Sequence, residues 1–149
     1  MNGDNPVGFS RTKLVDIQTR GEDVLVAHGY LTDYIYTMSV DVEFDLKKGT
    51  ISAIQGDMIR YTTHGCTKAE DVFGDAVGIS FGPDMDNRIK KIVGRAGCRH
   101  VAAVLIDCCH AAPRALIARE MEKAKVSAEE ARQTVKTKHP YFDYLLKSV

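Results

Sequence analysis

The chain has 149 residues, 44% of them hydrophobic, and its 20 basic and 20 acidic side chains cancel to zero net charge. That length suits one domain able to bury a core without disulfides. Zero net charge argues against general nucleic-acid binding and against electrostatic docking on an anionic membrane, and the absence of Trp leaves no obvious stacking platform for single strands.

The opening, Met1 to Arg11, lacks a basic segment followed by an apolar one, so no secretory signal is expected. The uninterrupted apolar runs are too short to span a bilayer. The expected compartment is the cytoplasm. There the four cysteines should be free thiols, metal ligands or redox groups.

In chain order, residues 1–10 read as a loose leader. "KLVDIQ" and "VLVAHGYL" read as strands either side of a turn at Arg20 to Asp23. Met38, Val40, Val42, Phe44 and Leu46 alternate with Ser39, Asp41, Glu43 and Asp45. This period of two predicts a strand with one buried and one wet face. Lys47-Lys48-Gly49 makes the next turn, and "TISAIQGDMIRYTT" returns antiparallel with a bulge expected at Gly56.

The period then changes. Thr67 to Glu70 matches a capping box. Pro83 and Asp84 open a helix that carries Ile89, Ile92 and Val93 and stops at Gly94. A longer helix runs from Cys98 with Val101, Val104, Leu105, Cys108 and Ala112 on one face, and Pro113 should kink or divide it. Ser127 to Glu130 caps a polar helix, His139-Pro140 breaks the chain, and "YFDYLLKSV" forms a last amphipathic turn or two, anchored by Tyr141, Phe142, Leu145 and Leu146. The expected fold is α+β: an N-terminal antiparallel β-meander with C-terminal helices packed on one face. The expected domain spans residues 11–125, with 126–149 a helical extension.

Two chain junctions carry mirrored motifs: His64 and Cys66, then Cys98 and His100. Both cysteines sit where a helix is expected to start, a position that favours thiolate. Residues two apart on a strand end share a face, so His64 and Cys66 can converge. Two residues apart on a helix, Cys98 and His100 would diverge by about 200°. They meet only if Cys98 still belongs to the preceding turn, which Gly94 and Gly97 allow. A set of His64, Cys66, Cys98 and His100 suits zinc, and thiolate-rich sets suit iron or an iron–sulfur cluster. No paired C-x-x-C knuckles reinforce it. Cys108 falls on the apolar helix face, so core packing is its expected role, and Cys109 and His110 are weaker ligand candidates. His28 and His139 stand isolated. Asp41, Glu43 and Asp45 read as a solvated row. Asp84 to Asn87 reads as a helix start, not a calcium loop.

The segment "GCRHVAAVLIDCCHAAPRAL" resembles a bacterial family known as domain of unknown function 2889. That family shows a β-rich N-terminal half, a mid-chain cysteine, and a Gly-Cys-Thr-His-Leu-like segment opening an Ala-rich helix. The matching positions are Cys66, then Gly97, Cys98, His100 and Val101, then Ala111, Ala112 and Ala115. The resemblance covers roughly residues 11–118. Arg99 and Val101 replace the usual Thr and Leu, and Val104 stands where an acidic residue is usual nearby. The resemblance implies a role for Cys66, Cys98 and His100 and no particular reaction. A looser likeness is to iron–sulfur scaffold proteins, which also place thiolates at loop-to-helix junctions.

Three functional expectations follow. The first is a metal or iron–sulfur protein, acting as accessory to a metabolic enzyme, with Cys66, Cys98, His100 and His64 as ligands. The second is a thiol enzyme with Cys98 as nucleophile, His100 as base and Cys66 as resolving thiol. The third is a non-catalytic binding module. The expected associations are a protein partner or a second copy of the chain, with neither nucleic acid nor membrane.

Overall fold

A computed structural model describes residues 3, 8–62 and 69–147. Four strands, β1 (Arg11–Arg20), β2 (Val24–Asp33), β3 (Thr37–Asp45) and β4 (Thr50–Arg60), form one antiparallel meander in chain order. The alternating row behaves as its period dictates. Met38, Val40, Val42, Phe44 and Leu46 are all buried beneath the helices, each contributing roughly 1.5–3 kcal/mol relative to exposure. The helices are α1 (Phe73–Ala76), α2 (Met85–Ile89), α3 (Arg99–Ala124), α4 (Ala128–Lys138) and α5 (Asp143–Leu146). Helix α3 lies across β1, β2 and β3, and α1 packs on β4. The architecture is α+β.

Several local expectations need correction. Gly56 is not bulged: it pairs regularly with Val40, and the register shifts fall instead between Thr37 and Met38 and between Glu43 and Phe44. Its missing side chain serves close approach, since a Cβ there would sit 2.7 Å from the Ser39 carbonyl and 3.0 Å from the Phe73 ring. Pro113 does not divide the long helix, which runs unbroken from Arg99 to Ala124. Pro113 removes one backbone donor, but it is buried on α3 with Cys109, Ala112 and Leu116, and burial of that face offsets the lost bond. The helix opened at Asp84 also continues through Gly94 as a π-helical turn, Lys90–Arg95. The Cys98 amide reaches back to the Val93 carbonyl.

Other signals act as written. Gly49, with φ of 67°, turns β3 into β4, and the Tyr141 ring covers it. The Ser127 hydroxyl accepts from the Glu130 amide at 3.2 Å and opens α4. The capping box at Thr67 lies outside the described residues. Val135, Phe142 and Leu146 bring α4, the 3-10 turn Pro140–Phe142 and α5 into the same core as the sheet. By length and composition alone α3 would be long enough and apolar enough to cross a membrane, as core helices often are; half of that stretch is buried.

Candidate functional site

One end of the sheet gathers several chain junctions. Arg11 opens β1 and pairs with Asp33 at the end of β2, while Thr37 opens β3 and pairs with Arg60 at the end of β4. The start of α3 closes over this end, with the Tyr36 ring 4.4 Å from the His100 ring.

Asp33 organises the turn. Its side chain is shielded from solvent and accepts the Ile35 and Tyr36 amides, each at 2.7 Å. Arg11 adds an ion pair through Nη2 at 2.7 Å and a bond from Nε at 2.8 Å. The Tyr36 amide does most to draw the Asp33 carboxyl down to about 2, against the opposing effect of burial, with Arg11 and the Ile35 amide helping. Arg60 donates to the Asp33 backbone carbonyl and, at 3.0 Å, to Thr37 Oγ1. This network fixes where Tyr36 presents its ring.

Cys98 is the N-cap residue of α3, with extended backbone (φ −139°, ψ 122°). It therefore stands outside the helical spiral that would have turned it away from His100. Its Sγ lies 3.9 Å from His100 Nδ1. Burial lowers the pKa of His100, and the positive charges of Arg11 and Arg99 lower it further, with Asp33 opposing. Both effects favour the neutral imidazole, the form that accepts a proton or binds a metal. Gly97 admits the neighbouring chain: a Cβ there would meet Ala69 Cα at 2.8 Å, the Val93 carbonyl at 2.9 Å and Val72 Cγ2 at 3.0 Å. His64 and Cys66 lie outside the described residues. Among the described residues no three His, Cys, Asp or Glu side chains are arranged to hold a metal ion.

The remaining candidates are buried or paired elsewhere. Cys108 and Cys109 are fully buried. Burial pushes the Cys108 thiol up to about 12 and raises Cys109 well above the ordinary thiol value. His110 Nε2 pairs with Asp86 at 2.8 Å. His28 pairs with Asp41, its direct cross-strand neighbour. Both lie, with the Arg20–Glu43 pair, in a shallow hollow on the outer sheet face. His139 meets the Tyr141 hydroxyl at 3.1 Å. Tyr36, Arg11, Asp33 and Arg60 were not singled out by sequence. Only an Asp opening the short β2–β3 connection hinted at Asp33, since Asp accepts the amides of a following turn.

The fold and the Cys98 junction define a small α+β protein with a β-meander under an Ala-rich helix capped by a Gly-Cys-x-His segment. The chain belongs to the family described as Protein of unknown function (DUF2889), whose model matches residues 10–114. No curated protein and no solved structure matches it, and nothing supports the likeness to iron–sulfur scaffold proteins.

Proposed function

We propose that Cys98 and His100 form one half of a Cys/His centre that holds a transition metal ion, with Cys66 and His64 as the other half. The carrying observation is the 3.9 Å separation of Cys98 Sγ and His100 Nδ1. Two ligands bound to one tetrahedral zinc at about 2.3 Å and about 2.0 Å sit roughly 3.5 Å apart, so a small rotation brings the pair into ligating geometry. The lowered pKa of His100 favours the same role. Ala69 abuts Gly97, and Cys66 precedes Ala69 by three residues, a chain reach of about 11 Å at most. The donor set suits zinc, iron or an iron–sulfur unit.

The test is metal analysis of protein purified without oxygen, alongside Cys98→Ser, Cys66→Ser and Cys108→Ala. The reading expects one metal centre per chain, lost in the first two variants and kept in the third. Metal-free wild-type protein, or equal metal content in Cys98→Ser, would overturn it.

A second reading rests on the same pair: a thiol enzyme in which neutral His100 takes the proton of the Cys98 thiol, within a dyad steadied by Tyr36. It expects no metal and rapid alkylation of Cys98 that slows in His100→Ala.

A further inference from the structure

The π-helical turn and the first two turns of α3 enclose a groove of about 500 Å³. Its apolar floor is lined by Gly94, Ala102, Ala103 and Ile106, and Lys90, Arg95 and Arg99 add three cations. Gly94 lies against α3, its would-be Cβ 3.4 Å from Ala102 Cβ and 3.9 Å from Arg99 Cα. Arg95 and Arg99 therefore share the end of the groove beside the Gly97 turn, and Ile106 marks the other end about 10 Å along α3. None of the three cations forms an ion pair among the described residues. The acidic residues of α2 and of the first half of α3 are engaged elsewhere, Asp86 by His110 and Asp107 by Lys13. The three cations are exposed at the rim of the groove and give it a positive field that complements an anion.

We infer that this groove binds a small amphiphilic carboxylate, its head group between Arg95 and Arg99 and its apolar body over Ala102 toward Ile106. Paired guanidinium forks match a carboxylate closely. The volume is that of a small-molecule site, and about 10 Å of length accommodates a straight chain of roughly eight carbons, too short for a protein interface of ordinary size. The groove does not use Cys98, so the inference stands apart from the metal centre.

The probe is octanoate, with octanamide as its uncharged counterpart, titrated into the full-length 15N-labelled chain and followed by amide shifts. Octanoate should move the amides of Gly94, Ala102 and Ile106, and octanamide should bind at least about tenfold more weakly. The double variant Arg95→Gln/Arg99→Gln should bind octanoate no better than wild type binds octanamide. Ala103→Phe, which fills the floor and leaves all three cations, should abolish both, and Cys98→Ser should bind octanoate as wild type does. Equal binding of the two probes, shifts centred elsewhere, or no saturation below about 10 mM octanoate would overturn the inference. These comparisons on the wild-type chain hold even if the double variant does not fold.

Discussion

Replacing Gly97 by Ala tests how tightly the Cys98 junction is built. In an open position that change stabilises a protein by about 0.4–1 kcal/mol, because the unfolded chain has less freedom to lose. Here the added methyl would stand 2.8 Å from Ala69 Cα and 2.9 Å from the Val93 carbonyl. Both are backbone atoms, and no rotamer change can move them aside. Overpacking of this kind costs about 1–3 kcal/mol, so Gly97→Ala should be destabilised by a net ~1–2 kcal/mol. Gly94→Ala is the internal control. Its methyl makes ordinary contact with Ala102 at 3.4 Å, inside a helical stretch where Ala is favoured over Gly by up to about 1 kcal/mol. Urea denaturation with unchanged m-value would report both. A Gly97→Ala protein as stable as wild type, or a Gly94→Ala protein less stable than Gly97→Ala, would refute the close docking of Ala69 and Val72 on the Cys98 turn.

Phe142 is fully buried, with Phe81 4.6 Å from it ring to ring; Phe142→Ala should cost about 3–5 kcal/mol in thermal or urea unfolding. A cost below about 1 kcal/mol would mean that the C-terminal helices are not part of the core. Cys108 and Cys109, buried and with raised thiol pKa values, should resist a thiol reagent at pH 8 until the chain unfolds, and mass mapping of labelled peptides checks this. Asp33 titrates near 2 in the folded chain and at about 3.9 when unfolded. Its stabilising effect is therefore complete above about pH 4 and is lost as pH falls toward 2. The stability gap between wild type and Asp33→Asn should narrow over that window in acid titrations, and a gap that is constant from pH 6 to about pH 2 would remove Asp33 from the turn network.

The sheet was legible because a strand alternating from Met38 to Leu46 has only one face it can bury, and Ser127 announced α4 because its hydroxyl supplies an acceptor for the unpaired N–H groups of a helix start. Both are local signals. Pro113 misled because its cost is local while the packing that overrides it comes from the sheet and the C-terminal helices. Gly56 misled because a glycine in a strand marks either a bulge or a close neighbour, and Phe73 lies 17 residues on. Cys98 and His100 were visible as a motif, and their convergence depended on where the helix begins. The surrounding Asp33, Arg11, Arg60 and Tyr36 network depends on strand register across the meander, which no residue pattern displays directly. The same is true of His28 with Asp41 and of His110 with Asp86, whose partners are fixed by pairing and packing.

The most direct measurement of the proposed centre is a cobalt(II) titration of the reduced chain under nitrogen, read by absorption. Cobalt bound by thiolate gives an intense charge-transfer band that imidazole and carboxylate alone do not give. The proposal expects this band to saturate at one cobalt per chain, to vanish in Cys98→Ser, to weaken in His100→Ala, and to be unchanged in Cys108→Ala. A titration without the band, or one that Cys98→Ser leaves intact, would contradict a metal centre at Cys98 and His100.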